Sequence, residues 1–216
     1  VMYFYSVIMG LRLLPAGALD PEFRRAVERI RMDGVAMKIN LAVDALPQFT
    51  AAPRVDRAVD GTGPEHRATI HIGPTVEYID RAWDDARRGR PSAAPFAELT
   101  IPTTYDPALA PPDRHIISIF VQYAPYRLAP DQPAWLVSGA RESNAPGGPG
   151  LAEGSWDAIK EPYADRVVET IAAYAPNLRD IITHRQVLSP LDLEREYGLT
   201  GGDIFHGEMT TDQLFM

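Results

Sequence analysis

A glycine-hinged loop near the end of the chain holds one imidazole. The loop reads Gly201-Gly-Asp-Ile-Phe-His-Gly207, so His206 lies between a glycine pair and a third glycine. Glycine adopts backbone angles that are closed to other residues, and it lets a large flat ligand approach the main chain. An imidazole held there could donate a hydrogen bond to a ligand carbonyl or heterocycle. The spacing fits a cofactor-facing loop, and it fits equally a hairpin or helix cap with a surface histidine.

A second group of candidate residues lies at the end of a predicted strand, Phe120-Val-Gln-Tyr-Ala-Pro-Tyr126. Gln122 and Tyr126 carry polar tips on largely apolar bodies, and small-molecule pockets are commonly lined by side chains of this kind. The alternative interpretation is ordinary packing in the core and at the sheet edge. The residues alone leave both interpretations open.

Several well-known catalytic patterns do not occur in the sequence. Gly61-Thr-Gly63 and Gly148-Pro-Gly150 are the closest matches to a dinucleotide fingerprint, but a buried strand precedes neither of them. There is no Walker loop, no G-x-S-x-G elbow and no H-E-x-x-H helix. His66 and His71 lie five residues apart with no third ligand nearby, so we expect no metal site.

The composition restricts the possible classes of protein. The chain has 216 residues, 45% of them hydrophobic, which is enough for a substantial core. It contains no cysteine, which excludes thiolate catalysis and zinc–thiolate sites. A net charge of −8 argues against nucleic acid as a partner. No apolar run is long enough to span a bilayer and no signal peptide is evident, so we expect a cytoplasmic protein.

Periodicity along the chain predicts an α+β fold with a mixed, largely antiparallel sheet and helices packed on one face. Alternating or apolar runs predict strands over residues 1–9, 34–43, 69–73, 96–101, 115–123 and 178–188. Helical spacing with capping residues predicts helices over 19–30, 74–89, 156–174 and 189–197. The proline- and glycine-rich stretches 47–66 and 129–154 are expected to be surface loops. We predict a single domain over residues 1–216.

Two of these elements have a clear buried face. In the predicted strand over 34–43, the residues that share one face are Val35, Met37, Ile39, Leu41 and Val43, with Lys38 and Asn40 opposite. In the longest predicted helix, the residues at helical spacing are Ile159, Tyr163, Val167, Ile171 and Tyr174, and Ser155 is the expected N-cap. We therefore expect this helix to pack on the apolar face of the sheet.

Four segments of the chain together resemble one family of enzymes. In chain order they are Lys38-Ile-Asn-Leu-Ala-Val-Asp-Ala-Leu-Pro47, Ile101-Pro-Thr-Thr-Tyr-Asp-Pro-Ala-Leu-Ala-Pro-Pro112, Ile116-Ile-Ser-Ile-Phe-Val-Gln-Tyr-Ala-Pro-Tyr126 and Leu199-Thr-Gly-Gly-Asp-Ile-Phe-His-Gly207. This combination resembles the C-terminal half of the phytoene dehydrogenase-like FAD-dependent oxidoreductases. Within them it is most similar to the group of the pyridine nucleotide-disulfide oxidoreductase domain-containing protein 2. The resemblance covers residues 17–216.

The resemblance implies a substrate domain whose parent enzyme also has an FAD-binding domain. In such enzymes a hydride passes from the substrate to the flavin, while the protein supplies orientation and electrostatics. The implied cofactor-binding residues are those of the glycine loop: Gly201, Gly202, Asp203, Ile204, Phe205, His206 and Gly207. The implied substrate-binding residues are Gln122, Tyr123 and Tyr126. The substrate itself is expected to be a hydrophobic small molecule, and no catalytic acid or base is assigned.

The chain also departs from the pattern of this family. Asp203 stands where the resemblance leads us to expect asparagine. Residues 199–216 would form the start of the junction to an FAD domain, but the second glycine-rich flavin segment is not among them. We therefore expect an inactive fragment that retains little or no FAD, and that self-associates through the face that would meet the FAD domain. The alternative hypothesis is a stand-alone, non-catalytic binding or interaction module with the same fold.

Overall fold

The computed structural model describes residues 9–15, 17–52, 57–59, 61–137 and 155–214. The predicted N-terminal strand falls almost wholly on residues 1–8, outside the described ranges, and residues 9–13 form one π-helical turn. Most of the predicted loop over 129–154 also lies outside them, although residues 134–137 are helical. No helix within the described ranges combines the length and apolar character needed to cross a membrane.

Five strands and six helices, besides the helical residues 134–137, form the described architecture. The strands are β1 (Ala36–Val43), β2 (Ile70–Ile72), β3 (Phe96–Thr100), β4 (His115–Gln122) and β5 (Ile182–Leu188). The helices are α1 (Pro21–Glu28), α2 (Val76–Arg87), α3 (Trp156–Ala172), α4 (Leu178–Ile181), α5 (Pro190–Tyr197) and α6 (Thr211–Leu214). Single 3₁₀ turns lie at Pro64–Arg67, Pro102–Thr104, Pro107–Leu109 and Thr200–Gly202.

The strands form one sheet in the order β2-β3-β4-β1-β5. All four pairings between the described strands are antiparallel, so the α+β class is confirmed and the sheet is antiparallel throughout rather than mixed. Strand β1 lies between β4 and β5, with Ile39 opposite Ile119 on one side and Val187 on the other. Strand β1 therefore pairs on both sides in the middle of the sheet, and its apolar residue Ile39 has an apolar partner on each side.

The hydrophobic core lies between one face of the sheet and helix α3. In β1 the alternate residues Met37, Ile39, Leu41 and Val43 are fully buried, as the sequence pattern predicts. The inward face of α3 supplies Ile159, Tyr163, Val167 and Ile171, also as predicted, while Tyr174 lies beyond the helix end and is more exposed. Burial of this many aliphatic side chains dominates the stability of the fold.

The opposite face of the sheet carries polar side chains. Asn40 donates a hydrogen bond to Gln186 at 2.9 Å, and His71 lies 2.9 Å from a carboxylate oxygen of Glu98. His71 thus pairs with a neighbouring strand, and the described residues contain no group of three or more histidine and acidic side chains that could hold a metal ion.

The helix boundaries follow local capping chemistry. Asp20 caps α1 by accepting from the Glu22 and Phe23 amides. Helix α5 begins with a capping box between Ser189 and Asp192 and ends at Gly198, whose φ of 70° is left-handed. Ser155 is the N-cap residue of α3, as predicted, although its side chain makes no capping hydrogen bond.

Two other predictions need correction. The predicted strand over 178–188 begins as helix α4, because Leu178 and Ile181 bury their side chains at i,i+3 spacing, and the strand starts only at Ile182. The loop over 47–66 is less superficial than predicted, since His66 is only 1% exposed. His66 Nδ1 accepts from the Gly63 amide at 2.9 Å, and Nε2 donates to the Pro47 carbonyl at 2.9 Å. This tautomer ties the two ends of the loop together.

Candidate functional site

A cavity of about 600 Å³ opens between the end of β4 and the segment that follows α5. Four stretches line it: residues 33–35, the C-terminal half of α2 with Gly89, residues 122–127 without Ala124, and residues 203–210 without Ile204 and His206. A cavity of this size accommodates a small organic molecule. It is the place where most of the candidate residues meet.

The structure brings six of the ten sequence-predicted site residues to this cavity. Gln122, Tyr123 and Tyr126 line it from the strand end. Asp203, Phe205 and Gly207 line it from the glycine loop. The other four loop residues do not line it: Gly201, Gly202, Ile204 and His206. The predicted cofactor and substrate groups are thus neighbours, although only the second part of the loop faces the cavity.

Backbone hydrogen bonds hold the strand-end wall. Beyond the last residue of β4, the Ala124 amide donates to the Val35 carbonyl and the Tyr126 amide to the Gly34 carbonyl, each at 2.8 Å. The indole of the buried Trp156 donates to the Pro125 carbonyl at 2.9 Å. This wall is therefore an extension of the sheet that is anchored directly in the core.

Aromatic rings form much of the cavity surface. Trp83 on α2 packs edge-on against Tyr123, with ring centroids 5.2 Å apart, and remains 43% exposed. Phe205 is 53% exposed on the opposite side. Flat aromatic faces suit a planar or apolar ligand. The sequence places Trp83 only within a predicted helix, and nothing in the helical pattern indicates that this side chain contacts the end of β4.

The Tyr126 hydroxyl donates a hydrogen bond to Glu194 Oε2. This hydrogen bond, together with partial burial, raises the pKa of Tyr126 above its ordinary value. The other carboxylate oxygen, Oε1, accepts the Gly201 amide at 2.9 Å. A single side chain of α5 therefore joins the strand end to the glycine loop, and the sequence analysis did not identify it.

The paired glycines pack against the protein's own backbone. A Cβ atom at Gly201 would lie 1.8 Å from the Met32 carbonyl oxygen, and one at Gly202 would lie 2.2 Å from the Pro190 carbonyl oxygen. Both residues have φ near 63°. The close approach predicted for a ligand is thus made by the chain itself, with the Gly34 amide donating to the Gly201 carbonyl at 2.8 Å.

Asp203 organises the part of the loop that faces the cavity. Its side chain is 5% exposed, Oδ1 accepts the Phe205 amide at 2.9 Å, and Oδ2 accepts the Gly207 amide at 2.7 Å. Both oxygens act as acceptors, which a carboxylate can do and an amide cannot. This geometry explains aspartate at this position. His206 follows in the turn with φ of 62°, is half-buried and does not line the cavity.

Arg31 holds the last part of the cavity wall. Its guanidinium donates to Glu208 at 2.8 Å, to Thr210 at 2.7 Å and to Asp212 at 3.0 Å. The hydrogen bond from Arg31 is the main cause that lowers the pKa of Asp212 to about 2. The Arg31 amide also donates to Gln213 Oε1 at 2.7 Å. These contacts keep residues 208–213 against the segment that precedes β1.

Charged groups at the cavity occur mostly as pairs. Arg127 donates to Asp33 at 2.9 Å, and this contact raises the pKa of Arg127. Arg87 donates to Asp84 at 2.6 Å. The cavity therefore combines aromatic surface with exposed ion pairs at its rim, an arrangement that suits binding and orienting an apolar ligand.

Comparison with known proteins points to one group of relatives. No family model matches the chain. It is 38% identical over 207 residues, or 95% of its length, to the pyridine nucleotide-disulfide oxidoreductase domain-containing protein 2 of Rattus norvegicus, and 38% identical over 208 residues to that of Mus musculus. An uncharacterized protein of Mycobacterium tuberculosis is 26% identical over 220 residues. The chain spans 32% of the length of the two rodent relatives and 33% of the mycobacterial one, about a third of each.

Proposed function

We propose that this chain is the substrate-binding portion of an FAD-dependent oxidoreductase of desaturase or dehydrogenase type. The proposal places it in the family of the pyridine nucleotide-disulfide oxidoreductase domain-containing protein 2, among the phytoene dehydrogenase-like enzymes. The observation that carries it is the shared cavity, which Gln122, Tyr123 and Tyr126 line together with Asp203 and Phe205. The names of the rat and mouse relatives support an oxidoreductase.

The residues at the cavity fit the ring system of a flavin. Trp83, Tyr123 and Phe205 offer flat apolar faces, while the Gln122 amide and the Thr210 hydroxyl offer hydrogen-bonding groups. When bound, FAD would supply the hydride acceptor. The loop residues that would face it are Asp203, Phe205 and Gly207, rather than the glycine pair that precedes them.

The chain's own contribution would be to bind and orient a hydrophobic small molecule. The aromatic faces around Tyr123 would hold the substrate and displace water from the reacting position. No side chain of the cavity is assigned the role of general acid or base. The enzyme's work at this site would therefore be orientation and exclusion of water.

The diphosphate of FAD would need a separate binding unit. Gly61 and Gly63 lead into a 3₁₀ turn, and the preceding strand among the described residues ends at Val43, so the described part of this segment does not match the strand–turn–helix unit that cradles a dinucleotide. In the proposal, this unit belongs to the two thirds of the relatives' length that the chain does not span. Residues 1–216 alone would then be inactive and bind little FAD.

The test compares residues 1–216 with the product of the complete reading frame that contains them. The complete frame should encode a strand followed by G-x-G-x-x-G and a helix, and its product should purify yellow and release flavin on denaturation. The purified chain of 216 residues should be colourless.

Two outcomes would contradict the proposal. Flavin bound stably by residues 1–216 alone would show that the chain is not an incomplete fragment. A complete frame that encodes no dinucleotide-binding unit and yields a colourless product would favour the second candidate, a non-catalytic binding module with the same fold. Gly201 and Gly202 pack on the backbone of the chain itself, which is compatible with that second role.

Self-association of the isolated chain also stays a prediction. Trp83, Phe205 and Met209 are all exposed at the cavity rim, and the proposed FAD domain would cover them. Sedimentation at increasing protein concentration checks this, and a monodisperse monomer would contradict it.

A further inference from the structure

Glu194 connects the two sides of the cavity without lining it. Its Oε2 accepts the Tyr126 hydroxyl and its Oε1 accepts the Gly201 amide at 2.9 Å. Tyr126 belongs to the strand-end wall, and Gly201 lies at the base of the loop that forms the opposite wall. The two oxygens of one carboxylate therefore hold the two walls of the cavity in a fixed relative position.

Helix α5 gives Glu194 a rigid platform. The capping box of Ser189 and Asp192 fixes the start of the helix, and Lys160 of α3 donates to Asp192 at 2.9 Å. Arg195 donates to Asp157 of α3 at 2.8 Å. Because both contacts tie α5 to the longest helix of the core, the position of the Glu194 side chain is set by the core rather than by the loop.

The direction of the hydrogen bond from Tyr126 follows from the chemistry of the pair. A carboxylate can only accept, so the phenol proton points toward Glu194. The same hydrogen bond raises the pKa of Tyr126, so the phenol, which is protonated in the neutral range in any tyrosine, stays protonated further into alkali. Tyr126 thus has a defined proton position and a defined ring position beside the cavity.

We infer that Glu194 is a positioning residue of the proposed site, holding the base of the glycine loop and the Tyr126 ring in fixed relation through its two carboxylate oxygens. The inference rests on the proposed function for its meaning, since the two walls would be the cofactor side and the substrate side. By linkage, a ligand that displaces Tyr126 would also loosen the loop.

The experiment uses residues 1–216 with Glu194→Gln, Glu194→Ala and Tyr126→Phe, and Glu196→Gln as the matched control. Glu196 is an exposed acidic residue of the same helix. The first measurement is hydrogen exchange of residues 199–207. Glu194→Ala should speed exchange about tenfold, because the Gly201 amide loses its acceptor. Glu194→Gln should stay within about twofold of the parent, since its amide oxygen still accepts.

The second measurement is the ultraviolet titration of tyrosine, which a purely structural role would not change. The difference between the parent and Tyr126→Phe gives the step that belongs to Tyr126. This step should move to lower pH in Glu194→Gln, because the neutral amide no longer favours the protonated phenol. The control Glu196→Gln should leave both the exchange and the titration unchanged.

Three results would overturn the inference. They are parent-like exchange in Glu194→Ala, opening of the loop by Glu194→Gln as large as that by Glu194→Ala, and a Tyr126 step that does not move. If Glu194→Ala does not fold, the Gln variant and the tyrosine titration still decide. Neither readout depends on flavin, so a colourless complete-frame protein would refute the proposed function while leaving this result intact.

Discussion

The two parts of the C-terminal loop differ in what holds them. In the inner part, Gly201 and Gly202 are buried and pack directly on the backbone of Met32 and Pro190. The outer part, residues 203–210, lines the cavity except at Ile204 and His206, and it is held by side chains, chiefly those of Asp203 and Arg31. The inner part is therefore held by tight packing against the backbone, while the outer part is a cavity wall that is held by exposed ionic contacts.

This difference separates two uses of glycine that look alike in a sequence. A positive φ and a close backbone approach are required at Gly202, but the neighbour is the protein itself. The chemistry that faces the cavity comes instead from residues with side chains. A glycine pair beside a candidate ligand-binding loop can thus be the place where the loop packs on the rest of the protein, rather than part of the surface that contacts the ligand.

The largest expected effect is that of Gly202→Ala. The new Cβ would lie 2.2 Å from the Pro190 carbonyl oxygen at a residue with φ of 63°. We expect the free energy of unfolding to fall by about 3 kcal/mol or more, from overpacking and backbone strain. Gly198→Ala is the control, with φ of 70° and no atom within 4 Å of the added Cβ, and should cost about 1 kcal/mol. Urea denaturation measures both, and equal losses would contradict the distinction between strain and packing.

An intermediate effect is expected at Asp203. Asp203→Ala removes the acceptors of the Phe205 and Gly207 amides, which should cost about 2 kcal/mol and open residues 203–207. Asp203→Asn keeps one acceptor and should cost about 1 kcal/mol. Hydrogen exchange and urea denaturation measure these losses. An asparagine variant as stable as the parent would show that the second acceptor is unimportant.

The smallest expected effect is the response to low pH of the contact between Arg31 and Asp212. The pKa of Asp212 is lowered from 3.8 to about 2, mainly by the hydrogen bond from Arg31. A lowered folded-state pKa means that the stabilisation is complete above the unfolded value and is lost as the pH falls toward 2. The NMR signals of Asp212 should therefore stay constant between about pH 7 and 4 and shift below about pH 3, where its carboxylate takes up a proton in the folded state.

The matched variants for this acid response are Arg31→Ala and Arg24→Ala. Arg31→Ala should move the response up toward pH 3.8, because Asp212 then loses the hydrogen bond that lowers its pKa. Arg24→Ala removes only an exposed pair with Glu28 and should leave the response unchanged. An unchanged acid response in Arg31→Ala would show that other contacts hold this part of the wall.

Much of the fold was predictable because its signals are local. The alternation Met37, Ile39, Leu41 and Val43 predicts a half-buried strand, and the structure confirms it. The helix predicted over 189–197 is also confirmed, and its limits are equally local, since the capping box of Ser189 and Asp192 and the left-handed Gly198 bound it. Leu178 and Ile181 were misassigned, because a four-residue helical turn is too short to show its period beside a strand.

The candidate site was predictable only in part. Asp203 and Tyr123 were identified from motifs, but Trp83 and Glu194 were not, since their roles depend on contacts with distant parts of the chain. The role of Arg31 cannot be seen in the sequence either, because its partner Asp212 lies in α6, far along the chain. Helical spacing places such residues on a face, and only the packing of elements decides what that face meets.

The sequence by itself determined the α+β class, the main strands and helices, and the two groups of candidate residues. The class and the elements follow from periodicity and capping, which act over a few neighbouring residues. The candidate residues follow from the glycine spacing, the polar tips at the strand end and the family resemblance. The tertiary structure decided that the strand end and the loop share one cavity, that Glu194 joins them, and that Gly201 and Gly202 pack on the chain's own backbone. These facts depend on close approach between residues far apart in the chain, which no local pattern encodes.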